Sequence, residues 1–457
     1  MLSFQTLSGG NGRSGSSLSS YFEKEADTED YWVKDSVLTP QWFGEGAKEL
    51  DMVGKVKQQD FMRTMNRVLP DGTQLPKGRG GKWRMGYDLT FSAPKSISMQ
   101  ILVGGDERLM QAVQEAAKET LQSIEQNTLT SQAKVKGKIK HEHTGKMVAA
   151  TFTHETSREL DPQVHIHSVV ANMTKTEDGK WRALYDKPLK VEKKAHGSEF
   201  RTRLQDKAQR LGYKITITNE KENFFELSHI SQKQIREFSK RRVEIERHLP
   251  PSGASAQVSQ RVALSTRPKK VTLSTEQRKE LSKKWVGEAK KVGMDLGKQT
   301  QKARKDAGKF KPLSRDAARK EAKKAVDKAL VTMLKKPGQG VYQQKVAQAA
   351  AGYAKGRVSP QMLRQELVNQ VNSGKIYNQG KTIVPSKAFS NSLALKRVSN
   401  HAKSVGAVAG RVVLGAAKTG IKHAILPPGT SQLLRALRVT NRVGKDVGRE
   451  EGRGVGR

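Results

Sequence analysis

Apolar positions in this chain change their period along its length. YDLTFS at 87–92, MVAATFT at 147–153 and VHIHSVVANM at 164–173 are apolar runs with the β-branched and aromatic content of strands. RLMQAVQEAAKETLQSIEQ at 108–126 instead repeats its apolar residues at helical spacing. The two strands at 147–153 and 164–173 flank a polar SRELDP segment, which predicts a paired unit joined by a loop. Over residues 1–295 this mixture predicts an α+β domain, a central antiparallel sheet flanked by helices. Residues 296–315 read as a basic linker without regular structure. Residues 316–337 and 359–373 read as helices, and KIYNQGKTIV as a short hairpin turning at Asn378, Gln379 and Gly380. Helix, helix and hairpin predict a small winged-helix-like module over 316–397. The Gly, Val, Lys and Arg-rich stretch 398–457 predicts a flexible basic tail.

Charge changes this picture by pointing to a partner. The chain has 84 Lys and Arg against 45 Asp and Glu, a formal charge of +39 and a pI near 10.2, which favours a polyanion, nucleic acid first. The excess is uneven: residues 301–457 hold 33 basic and 8 acidic residues, so +25 of the total lies in the last third. There are no cysteines, which removes disulfides, thiolate ligands and Cys nucleophiles together. No apolar run approaches the roughly 20 residues of a membrane span, and the N-terminus has no signal-peptide core, so a cytoplasmic protein is expected.

The two predicted strands carry the candidate chemistry. His165 and His167 alternate on one strand and so share a face, and an antiparallel partner can supply His154 as a third nitrogen. Three neutral imidazoles with an open position describe a catalytic metal site better than a closed structural one. His141 and His143 have the same spacing beside a Thr-Gly turn without a third partner, and read as solvated or DNA-facing. Tyr21 and Tyr31 lie in SLSSYFEKEADTEDYWVKD, a polar, acidic setting rather than an apolar stripe. A tyrosine hydroxyl, with its ordinary pKa about 10, becomes a competent nucleophile when a base takes its proton and a metal withdraws charge from the phosphate under attack.

HETSRELDPQVHIHSVVANMT, YDLTFSAPKSIS, LGYKI at 211–215, FSKRR at 238–242 and the early tyrosines resemble the conjugative relaxases of the TrwC and TraI type, in the HUH endonuclease superfamily. The resemblance covers roughly residues 1–295. It implies a nick at a plasmid transfer origin by a tyrosine that stays on the 5′ phosphate. Carried over by motif, it makes Tyr21 the nucleophile, Tyr31 a second tyrosine for strand transfer, and His154, His165 and His167 the ligands of a divalent ion (Mg, Mn or Zn). Asp88 becomes the acidic residue beside them, either the base or a group that orients a histidine. Lys95 and Arg158 flank these motifs and are candidate phosphate contacts. The implied partners are single-stranded DNA, an origin hairpin, accessory DNA-binding proteins and a coupling protein or type IV secretion system. Two departures stand out. The tyrosines occur singly, as Tyr21-Phe22 and Tyr31-Trp32, and there is no GxxxxGK[ST] phosphate loop, so a separate helicase is expected. Rolling-circle initiators and single-strand transposases use the same chemistry and form the alternative enzyme reading; a non-catalytic basic DNA-binding protein is the other.

Overall fold

The structure, a computed structural model, describes residues 1–9, 38–76, 83–135, 138–250, 253–266, 273–334, 340–379, 382–386 and 388–390, with 268 and 271. Tyr21, Tyr31 and the predicted tail lie outside the described residues.

In chain order the first seven strands are β1 (Leu2–Gly9), β2 (Gln41–Phe43), β3 (Trp83–Ser92), β4 (Thr130–Val135), β5 (Lys138–His143), β6 (Ala149–Thr156) and β7 (Pro162–Ala171). β4 and β5 pair as a ribbon, and the other five make one antiparallel sheet in the order β1-β3-β7-β6-β2. β3 and β7 lie inside the sheet and are buried on both faces over most of their length, which is why their sequences read as near-continuous apolar runs. On one face Tyr87, Leu89, Phe91, Ile166 and Val170 pack against helices Lys95–Leu102, Glu107–Asn127 and Lys187–Arg210. On the other, Leu7, Phe152 and Val169 pack under helix Gln58–Met65, with the Phe61 and Phe152 rings edge to face at 5.2 Å. This second face turns polar where β3, β6 and β7 carry Asp88, Thr90, His154, His165 and His167. The α+β reading with a central antiparallel sheet holds.

The organisation beyond residue 295 differs from the expectation. The described residues fall into two units, one made of Met1–Leu330 with Gln343–Val368, the other of Val331–Tyr342 with the described residues from Asn369 on. The predicted linker begins with a helix, Leu296–Asp306, whose Leu296, Thr300 and Ala303 are buried at i, i+4 and i+7 among surface lysines. Gln100 fixes it by donating from Nε2 to Leu296 O and Thr300 Oγ1, both at 2.8 Å. Helix Arg315–Met333, up to Leu330, and helix Gln343–Ala354 belong to the first unit rather than to a separate module. Gly352 lets the second of these approach so closely that a Cβ would collide with Glu220 O, and Gln348 Nε2 donates to Glu222 Oε2 at 2.8 Å. In the second unit Val341–Tyr342, Thr382–Pro385 and Ile376–Gln379 form a three-stranded sheet in that order, over buried Ile376 and Ile383. The predicted hairpin is present, but Asn378 and Gln379 pair with Ile383 and Thr382 instead of turning.

Candidate metal centre

β6 and β7 pair with His154 directly across from His165 and Phe152 across from His167. Opposed residues of an antiparallel pair share a face, as do i and i+2 on one strand, so the three imidazoles converge. Their ring centroids are 4.9–5.3 Å apart, and one candidate ligand atom from each lies within 4.8 Å of the others. The β6–β7 ladder becomes irregular between His154 and Thr156, where the SRELDP loop departs.

β3 adds the group that orients one ring. Thr90 sits opposite His167, and buried Asp88, two residues away on the same face, accepts from His167 Nδ1 at 2.7 Å through Oδ2. Thr90 Oγ1 donates to the other carboxylate oxygen, Oδ1, at 3.3 Å. His165 Nδ1 donates to Gln163 O at 2.8 Å. In both rings the Nδ1–H is spent on an acceptor, which fixes the tautomer and leaves Nε2 with the lone pair a metal needs. A carboxylate-to-histidine bond behind a ligand nitrogen is the usual support of a bound ion, so the donor set fits a divalent metal held by three imidazoles.

The SRELDP loop is not a passive connection. Leu160 adopts a left-handed conformation (φ +55°), and its carbonyl accepts from Trp285 Nε1 at 2.9 Å. Asp161, 1% exposed, accepts from Lys240 N at 2.7 Å and so caps helix Lys240–Arg247. Burial pushes the Asp161 carboxyl up, and Lys95 and Lys240 oppose that. The FSKRR motif is thereby explained: Phe238 is buried, Lys240 engages Asp161, and Arg241 donates to Thr266 O and Ala263 O at 2.7 and 2.6 Å, closing the end of helix Ala256–Ser265. In LGYKI, Tyr213 donates to Asp106 Oδ2 at 2.7 Å.

Of the remaining expected site residues, Lys95 turns inward. Its ammonium donates to Pro162 O at 2.9 Å at the start of β7, and burial lowers its pKa to about 8 against the pull of Asp161 and Glu226. Arg158 donates to Pro268 O at 3.2 Å. Both cations bind carbonyl groups of the protein here. The structure therefore brings together Asp88, His154, His165 and His167, sets Lys95 at the base of β7 and Arg158 in the loop, and leaves Tyr21 and Tyr31 outside its described part. Beside Glu155 and Thr156, just after His154, a cleft of about 550 Å³ is lined by Leu38, Leu102, Met110 and Trp285 among others.

The β4–β5 ribbon was not foreseen, although KVKGKIK at 134–140 carries the alternation and central glycine of a tight hairpin. It exposes Lys138, Lys140, His141 and His143, and Ile139 is 63% exposed. The His141 ring lies 4.4 Å from that of Tyr185.

The TrwC relaxase family model matches residues 16–292. Over 307 residues the chain is 32% identical to the multifunctional conjugation protein TraI of Escherichia coli, a match covering 65% of this chain and 16% of that protein. TraI of Escherichia coli strain K12 is also 32% identical, over 295 residues. The chain thus spans 16% of the length of these curated relatives. Among solved structures, metal-bound conjugative relaxase TrwC in complex with oriT DNA superposes with a TM-score of 0.57 at 33% identity, covering 65% of this chain and all of that one. TrwC complexed with a 27-mer DNA comprising the recognition hairpin and the cleavage site gives 0.56, also at 33% identity and with the same coverage.

Proposed function

The chain belongs to the TrwC relaxase family, and we propose that it is a metal-dependent relaxase, cutting one DNA strand at a plasmid transfer origin and retaining the 5′ phosphate on a tyrosine. The observation that carries this reading is the three-histidine cluster on β6 and β7 with Asp88 behind His167. A divalent ion held by His154, His165 and His167 would neutralise charge on the non-bridging oxygens of the scissile phosphate. Tyr21 is the nucleophile: its oxygen bonds to phosphorus in line, the bond from phosphorus to the 3′ oxygen breaks, and the tyrosine proton leaves to a base while the 3′ oxygen gains one. Closure runs the same exchange backwards. Tyr31 serves as a second acceptor of the strand. Asp88 acts by orienting His167, since its Oδ2 is committed at 2.7 Å inside the fold. Lys95 holds the first residue of the metal strand β7, and Arg158 steadies the loop before it.

A two-stranded ribbon is narrow enough to enter the major groove of a DNA duplex. With Lys138 and Lys140 on its surface, β4–β5 is the element to grip the origin hairpin while the cleavable strand runs single-stranded to the histidines. The protein works in the cytoplasm, with accessory DNA-binding proteins and a coupling protein or type IV secretion system as partners; among the described residues no helix is long and apolar enough to cross a membrane.

The test incubates the protein with supercoiled origin plasmid and Mg²⁺ or Mn²⁺, then looks for protein attached to nicked DNA. Wild type should form the adduct, Tyr21→Phe should not, and both should bind an origin oligonucleotide alike. An adduct that persists in Tyr21→Phe and vanishes in Tyr31→Phe would reverse the two tyrosines; a nick mapping to a replication origin would favour the rolling-circle reading.

A further inference from the structure

Residues 298–324 hold eleven Lys and Arg against three acids, Asp306, Asp316 and Glu321, and they begin just past the end of the family match. They are not a solvated tether. Helix Leu296–Asp306 is fixed through Gln100, and helix Arg315–Met333 buries Ala318, Ala322, Ala325 and Ala329 along one side. Lys298, Lys302 and Lys305 on the first helix, and Arg319, Lys320 and Lys323 on the second, are all exposed. Their local ion pairs are few and on the surface: Lys298 with Asp295 at 3.3 Å and Arg319 with Asp316 at 3.9 Å, pairings that exchange readily for a phosphate. The patch extends beyond these helices. Asp306 is held below the usual carboxylate range by Lys309, with Lys302 and the exposed Lys214 acting on it too, so Lys214, distant in sequence, adds its charge to that of the first helix.

We propose that the exposed cations of these two helices of the first unit form a second, sequence-independent DNA-binding surface, which holds the phosphate backbone of duplex DNA. It rests on the relaxase reading only for the identity of the polyanion. Duplex is favoured over single strand because single-strand grooves add aromatic platforms to their charge, and Phe310, half-buried, is the one aromatic residue between 296 and 324. A bilayer does not fit, because the apolar sides of both helices are already buried within the unit.

The test uses the full chain with excess chelator, so that binding is read without cleavage. Lys298→Gln, Lys302→Gln, Lys320→Gln and Lys323→Gln are combined, and a control of equal charge loss combines Lys55→Gln, Lys57→Gln, Lys180→Gln and Lys193→Gln. On a random-sequence duplex the first variant should show a shallower slope of log K against log salt, by roughly 0.9 for each phosphate it no longer neutralises, and the control should stay close to wild type. Equal slopes for the two variants, or poly-dT competing as well as duplex per phosphate, would overturn the proposal. Should the first variant melt early, acetylation of wild-type lysines with and without duplex decides instead: Lys298, Lys302, Lys320 and Lys323 must be protected, and their full reactivity in the complex refutes the surface. Nicking of an origin oligonucleotide in Mg²⁺ is a separate arm. Its absence in wild type would remove the relaxase reading and leave the binding result standing.

Discussion

Asp88 accepts a 2.7 Å hydrogen bond from Nδ1 of His167, one of the three clustered imidazoles, and that geometry separates the two roles open to the carboxylate. If it orients His167, Asp88→Asn keeps the side-chain volume but weakens the acceptor, and metal affinity should fall about 10- to 100-fold, with nicking following it. Calorimetry with Mn²⁺ beside single-turnover nicking measures both; unchanged affinity with slow nicking would make Asp88 the proton acceptor instead. His165→Ala removes a candidate ligand outright, so metal binding and cleavage should be lost together while the melting temperature moves little, because no apolar core depends on that ring. Cleavage at the wild-type rate by this variant would end the metal reading. The histidines were legible in the sequence because their spacing is local: alternation on one strand and a short loop to the next. That Asp88 stands beside them came from the resemblance alone and not from spacing, since its bond to His167 depends on the register of β3 against β7, strands 79 residues apart at this point. Nor did the sequence show Lys95 turning its ammonium inward, since a lysine next to a motif looks the same whether it faces phosphate or a buried carbonyl.

Elements were legible wherever their apolar period was clean, as in β3, β6, β7 and the helix Glu107–Asn127. The misreading came in Leu296–Asp306, where five Lys, Arg and Asp in eleven residues outweigh three inward positions, and composition suggests a tether where spacing builds a helix. What fixes that helix is long-range: Gln100 on one side, and on the other Gly212, whose φ of +94° and closeness to Ala303 O leave no space for a Cβ. Gly212→Ala should therefore lower stability by more than the roughly 1 kcal/mol of backbone strain alone, and should expose 296–306 to protease first. Equal melting and cleavage patterns for the two proteins would mean that this approach is not tight in solution. The SRELDP loop makes the same point: its polarity marks it as a loop, but only the fold shows that Asp161 caps a helix 79 residues further on.

At the scale of the whole first unit, helices distant in sequence converge on one buried imidazole. His196, on helix Lys187–Arg210, lies 3.2 Å from Thr128 Oγ1 at the end of helix Glu107–Asn127 and 3.7 Å from Glu192 Oε2. Burial, reinforced by Arg364 and Arg203, lowers its pKa to about 3. Arg364 comes from the helix that begins at Pro360, so the neutral state of this ring is a property of segments lying on both sides of the family match's end at 292. The unfolded chain takes up a proton near pH 6.5 that the folded chain refuses until about pH 3, so the folded state loses stability as pH falls through that window. His229, lowered to about 4 by burial and Lys302, adds in the same direction. Glu125, Asp161 and Glu226, whose carboxyls burial pushes up, work the other way, because the folded form then takes the proton first. The wild-type slope is therefore a sum, and a difference isolates the imidazole. His196→Gln keeps a polar partner for Thr128 and removes the titration. Between pH 7.5 and 5, urea unfolding should show wild type losing about 2 kcal/mol more than the variant, 1.5 pH units below the unfolded pKa at 1.36 kcal/mol each. Parallel pH profiles would mean that water reaches His196 in solution, and that the helix carrying Arg364 does not seal this part of the unit.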